Sequence, residues 1–250
     1  MTRIFSRPDD DKPVIDKAAI LDFFEKRAEK AEDLGPVRAV IYQDKNADLA
    51  ERRDIAEKAL LYPLIRLNTD SRILDAGCGT GRWAKVVIPN CGTYHGVDVS
   101  PGLIRIAEEL YGNFPNARFS VCSLDTVAMD SIGAENLFTH ILSFGVHIYL
   151  NDHEVLEALL RLTQLAASQC RFLIREPIAI QQRLTLQEHF SEDMNQHYSA
   201  IYRTEPELLA MYDATIGRAG FHLLDAGDVY SESALNNRAE TKQRWFLWER

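Results

Sequence analysis

Eleven residues, Arg72-Ile73-Leu74-Asp75-Ala76-Gly77-Cys78-Gly79-Thr80-Gly81-Arg82, constrain this chain more than any other stretch. An apolar run that breaks into a glycine-rich turn and then resumes as a helix predicts a buried parallel strand, a tight loop and a helix start, the unit on which α/β proteins build nucleotide sites. The glycines are spaced G-x-G-x-G with Asp75 two residues ahead, which differs from the G-x-G-x-x-G that receives a pyrophosphate. Glycine at these positions permits positive φ and close approach of the backbone to a ligand, while the helix start offers free N–H groups. A second strand, Tyr94-His95-Gly96-Val97-Asp98-Val99-Ser100, ends in an acid 17 residues beyond Gly81. A carboxylate there has the lone pairs to accept two ribose hydroxyls.

On these residues the chain resembles the class I S-adenosylmethionine-dependent methyltransferases, in motif spacing and element order over roughly residues 55–175. The resemblance implies S-adenosylmethionine as cofactor and S-adenosylhomocysteine as its product. It places the loop of Gly77, Cys78, Gly79 and Gly81, with Asp75 ahead of it, around the methionine and ribose, and Asp98 with Val99 on the ribose side. After the third strand the family usually has an Asp for the adenine amino group. Here Ser123 stands in that place, a weaker partner, with the N–H of Leu124 available to a ring nitrogen. Ser143, at the end of the fourth strand, completes the expected cofactor set.

The remaining sequence bounds the setting. At 250 residues and 46% hydrophobic the chain supports one large α/β domain with a cap. The expected divisions are 1–67 (tail and cap helices), 68–176 (cofactor core), 177–204 (lid and acceptor insertion) and 205–250 (last helix and edge strands). The net charge is −9 and no long basic run is present, so nucleic acid is not an expected partner. Four scattered cysteines without a C-x-x-C pair fit reduced thiols, and no apolar run approaches the roughly 20 residues of a membrane span. Neither does the N-terminus carry an apolar signal core. A cytoplasmic protein off the membrane is expected, with homodimerisation left open.

The expected fold is a Rossmann-like, mostly parallel sheet of seven strands with helices on both faces, capped by N-terminal helices and by an insertion after the fifth strand. Residues 1–13 read as a loose tail, 14–33 and 47–67 as helices, and the segment from 177 to about 204 as an irregular polar and aromatic insertion. Helices over 153–168 and 205–219 and closing strands at 221–225 and 244–248 complete the pattern.

Ligands in such a sheet lie beyond the carboxyl ends of the strands, so the fourth strand leads into the reactive corner. Methyl transfer aligns a lone pair with an electrophilic methyl, and alignment supplies most of the rate. A base is needed only where the acceptor must first lose a proton. His147 has the pKa class for that role, and Glu176, closing the fifth strand, is placed to orient an amine or hydroxyl. Tyr42, His147, His189, Tyr198, Tyr202 and Arg203 are the candidate acceptor contacts, Arg203 as a two-donor partner for a carboxylate or phosphate. Each also has a plain reading as a packed aromatic, a satisfied core imidazole or a surface ion pair. The Asn/Asp-Pro-Pro-Tyr and Pro-Cys signatures of nucleic-acid base methylation are missing, and nothing requires a metal. The expected activity is methyl transfer to oxygen or nitrogen of a small polar metabolite, such as a natural-product or sugar intermediate. The alternatives are a non-catalytic scaffold that binds the donor or its product, and a nicotinamide-dependent oxidoreductase, against which the glycine spacing argues.

Overall fold

The computed structural model describes residues 2–232, 235–236 and 238–250. Its main sheet is built from β2 (Arg72–Ala76), β3 (Thr93–Asp98), β4 (Ala117–Val121), β5 (Phe138–Phe144), β6 (Ala166–Ala179), β9 (His222–Asp228) and β10 (Thr241–Glu249). The strand order is β4-β3-β2-β5-β6-β10-β9. The first five strands pair in parallel, and β10 runs antiparallel to both β6 and β9. This is the seven-stranded Rossmann-like sheet that the sequence predicts.

Consecutive side chains on the central strands leave by opposite faces, and both faces are covered. Leu74, Ile141 and Phe172 join a buried cluster with α6 (Asp152–Gln164) and α7 (Glu205–Tyr212). Their neighbours Ile73, Leu142 and Leu173 join one with α3 (Ala47–Ile65), α4 (Ala84–Val87) and α5 (Pro101–Tyr111). Local signals fix the helix starts. Ser100 caps α5 by accepting from Leu103 N, with Pro101 at the first position, and Asn151 with Glu154 forms a capping box on α6.

Two expected irregular regions are ordered. Residues within the expected insertion form β7 (Arg183–Ser191) and β8 (Gln196–Tyr202), an antiparallel pair. Of the tail expected over 1–13, Met1 lies outside the described residues, and β1 (Arg3–Ser6) pairs antiparallel with β7 to make a separate three-stranded sheet. The alternation that marks a strand is broken in β7 by a register shift between Leu186 and His189, where Glu188 takes φ 46°. One bulge residue changes which face every later side chain occupies, so the polar pattern conceals the strand. The stretch Val40 to Asp44 belongs partly to a short helix, α2 (Pro36–Ile41), which Tyr42 ends in the left-handed region.

A third cluster ties this small sheet to α1 (Lys17–Leu34). Ile20 and Phe23 of α1 pack with Leu184, Leu186, Ala200 and Ile201, and with Tyr149 from the main sheet's loop. The Asn151 side chain pins the start of α1 from below, accepting from Ile15 N at 2.9 Å and donating to Ile15 O at 3.0 Å. Helix α1 and the β7–β8 pair thus form a cap over the carboxyl ends of β2 to β6. Among the described residues, no helix is long and apolar enough to cross a membrane.

Candidate active site

The glycine turn after β2 has the backbone that its composition allows. Gly77, Gly79 and Gly81 have φ of 80°, 55° and 75°. At Gly77 a Cβ would stand 2.3 Å from Val146 Cγ2, so the turn and the loop after β5 meet without room for a side chain. The N–H groups of Gly77 and Cys78 both donate to Val97 O, which ties the turn to β3. Asp98 finishes that tie. One carboxylate oxygen accepts from Gly79 N at 2.9 Å and the other from Ser100 N at 3.0 Å. Burial raises the pKa of Asp98 while these bonds hold it down. Each oxygen keeps a further lone pair.

Beyond the strand ends lies a cavity of about 440 Å³. Asp75, Gly77, Cys78, Gly79, Asp98, Val99, Ser123 and Leu124 line it, which brings together eight of the ten expected cofactor residues. Gly81 and Ser143 are not on its wall. A Cβ at Gly81 would meet the Tyr111 ring at 2.9 Å, so this glycine serves helix packing, and Ser143 is fully buried against His147 Nε2 at 3.3 Å. Asp75 is buried under Tyr94, whose hydroxyl donates to it at 2.6 Å, and desolvation pushes its pKa up to about 6. Helix α1 closes the cavity with Lys17, Ile20, Leu21 and Phe24. Lys17 is anchored there to Asp125 at 2.6 Å, and this carboxylate spans helix and loop instead of capping a helix.

A second chamber, about 110 Å³, adjoins the first. The two share Val40, Tyr42, Phe144, Gly145, Tyr149 and Arg175. Tyr42, Tyr198 and Tyr202, all expected acceptor contacts, lie on its wall with Tyr149 and Tyr230. Burial raises the pKa of Tyr42 and Tyr149, so both phenols hold their protons at neutral pH. At the boundary Glu57 binds Arg82 and Trp83 Nε1 and lies 3.1 Å from Arg175 Nε. Burial opposes ionisation of Glu57, but the two guanidinium groups bring its pKa down to about 2.

Four expected residues stand elsewhere. His147 and Glu176 are 0% exposed and line neither space. The His147 ring lies between Ser143 Oγ and the Tyr212 hydroxyl at 3.0 Å, and desolvation pushes its pKa down to about 3, leaving it neutral and away from any acceptor. Glu176 accepts from the N–H groups of Val146, His147 and Ile148 at 2.8, 3.0 and 3.3 Å. Burial still lifts its pKa to about 7. Arg203 is spent internally on Asp152 and on the carbonyls of His147 and Leu150, both at 2.7 Å. His189 sits on β7 opposite Tyr198 and beside Thr2 Oγ1, and lines neither space. Conversely, sequence reasoning passes over Arg53, Glu57, Arg175, Tyr230 and Arg238 on the second chamber, since no spacing links α3, β6 and the β9–β10 connection.

A methyltransferase domain family profile matches residues 73–168. Among solved structures, phosphoethanolamine N-methyltransferase 1 of Haemonchus contortus superposes at TM-score 0.69 and 15% identity, over 94% of this chain and 50% of that one. A SAM-dependent methyltransferase of Leishmania major gives 0.64 and 12% over 91% and 83%. Magnesium protoporphyrin IX methyltransferase of Synechocystis, solved with bound SAM, gives 0.62 and 16% over 96% and 100%. No curated protein matches the chain in sequence.

Proposed function

We propose that this chain is a class I S-adenosylmethionine-dependent methyltransferase that methylates oxygen or nitrogen of a small polar metabolite seated in the second chamber. The observation that carries this reading is the shared wall: Tyr42, Gly145, Tyr149 and Arg175 belong to both spaces, so the two occupants meet across them. The first cavity suits the donor. Asp98 offers its free lone pairs to the ribose hydroxyls, the backbone of Gly77 and Gly79 lines the place of the amino-acid portion, and Val99, Leu103 and Leu124 supply apolar flanks for a purine near the Ser123 hydroxyl. When bound, the donor supplies an electrophilic methyl on a positively charged sulfur.

The chain's own residues act mainly by positioning. Tyr42 and Tyr149 exclude water at the boundary, and their hydroxyl oxygens can accept from the N–H or O–H of an acceptor, which leaves its lone pair free to attack. Glu176 and His147 are positioning residues: the carboxylate gathers three successive N–H groups and so fixes the Gly145–Tyr149 turn against Gly77. Among the described residues neither His147 nor Glu176 lines either space, which favours an acceptor nucleophilic at neutral pH. The test is incubation of the full chain with methyl-labelled S-adenosylmethionine and a cell metabolite extract, read by mass shift and S-adenosylhomocysteine release. Acceptor-dependent release supports the reading. Donor binding without any acceptor-dependent release turns the account to the scaffold alternative.

A further inference from the structure

The second chamber carries charge that alignment of a methyl group does not use. Three guanidinium groups line it, Arg53, Arg175 and Arg238, against two carboxylates, Glu57 and Asp193. Glu57 is taken by Arg82 and Arg175. Asp193 acts on Arg53 through its charge alone. Among the described residues the hydrogen-bond partners of Arg53 and Arg238 are neutral oxygens. Arg53 Nε donates to Leu235 O at 2.8 Å, and Arg238 donates to the hydroxyls of Tyr202, at 3.1 Å, and Tyr198. Arg53 is 4% exposed, and among the described residues its buried Nη1 has no hydrogen-bond partner.

A buried cation with an unmet N–H is costly, and a guanidinium is shaped to take a carboxylate through two parallel bonds. Arg53 and Arg238 line the second chamber but not the donor cavity. An anion held there sits on the side away from the donor, and the rest of the molecule points at the shared wall. The chamber's lining is positive by one unit, which matches a monoanion better than a dianion. The Tyr198 and Tyr202 rings are already engaged by a cation, because Arg238 lies over them at 5.7 and 5.8 Å.

We propose that the methyl acceptor is a carboxylic acid whose carboxylate is held by Arg53 and Arg238, the role that the sequence assigns to Arg203. This inference rests on the acceptor occupying the second chamber.

The test uses the full chain saturated with S-adenosylhomocysteine, titrated calorimetrically with sodium acetate, sodium benzoate, benzamide and inorganic phosphate. A carboxylate should bind, benzamide at least about tenfold more weakly than benzoate, and Arg53→Met and Arg238→Met should each weaken the carboxylate about tenfold or more with S-adenosylhomocysteine affinity unchanged. Arg53→Lys and Arg238→Lys, which keep charge but lose the fork, should fall between and serve where a Met variant does not fold. Equal binding of benzoate and benzamide, no carboxylate binding, or unchanged carboxylate affinity in the folded variants overturns the proposal. Phosphate binding more tightly than either carboxylate replaces it with a phosphorylated acceptor. Loss of S-adenosylhomocysteine binding by the unaltered protein would instead count against the methyl-transfer reading, so the two failures are distinct.

Discussion

Replacing Asp98 by alanine removes the one carboxylate that both organises the glycine turn and faces the donor cavity. Its oxygens accept from Gly79 N at 2.9 Å and Ser100 N at 3.0 Å. The residue is 9% exposed, so in Asp98→Ala two largely buried backbone donors lose their partner, each costing about 1–3 kcal/mol of stability where water does not replace it. The expected binding loss is separate: ribose hydroxyls left without a charged acceptor weaken S-adenosylhomocysteine by ~1.5–3 kcal/mol, about tenfold to a hundredfold in Kd. Calorimetric titration measures the second quantity and thermal unfolding the first. Asp98→Asn, which keeps an acceptor oxygen but not the charge, should lie between. A folded Asp98→Ala protein that binds S-adenosylhomocysteine as tightly as the unaltered chain would refute the reasoning.

Other outcomes follow from the same structure. Glu176 has a folded pKa raised from the ordinary 4.5 to about 7, so the fold holds its proton more tightly than the unfolded chain does; its contribution is fully present below about pH 4.5 and is lost as pH rises to about 7. Denaturant titrations across that window should show a shallower decline in Glu176→Gln, and equal slopes would remove Glu176 as its source. His147 stays neutral, so His147→Gln should lower stability but leave the shape of the pH–rate profile unchanged; loss of a limb near pH 6–7 would restore the general-base role. Deleting residues 2–8 removes β1 from the edge of β7, and hydrogen exchange should quicken across β7 and β8 but not across β2 or β5. Unchanged protection of β7 would show that the strand contributes nothing to the cap.

The central sheet was legible because buried parallel strands read as short apolar runs punctuated by glycine, and Ile73, Leu74 and Ala76 sit in such a run beside Gly77. The donor cavity followed from it, since Asp98 and the glycine turn are close in sequence and their spacing carries the geometry. Two things were hidden. A bulge at Glu188 masked β7, and with it the sheet that recruits β1. The second chamber draws Arg53 from α3, Arg175 from β6 and Arg238 from the connection before β10, so only the fold brings these charges together. His147 illustrates a further limit. Its residue type suits proton transfer, but whether an imidazole meets an acceptor depends on burial, and here Ser143 and Tyr212 enclose it.

A crystal structure with S-adenosylhomocysteine tests the account most directly. The ribose hydroxyls should lie within hydrogen-bonding distance of Asp98, and the sulfur should face the wall formed by Tyr42, Gly145 and Tyr149, opening on the chamber of Arg53 and Arg238. A ligand bound away from Asp98, or one whose sulfur faces away from that wall, would contradict it.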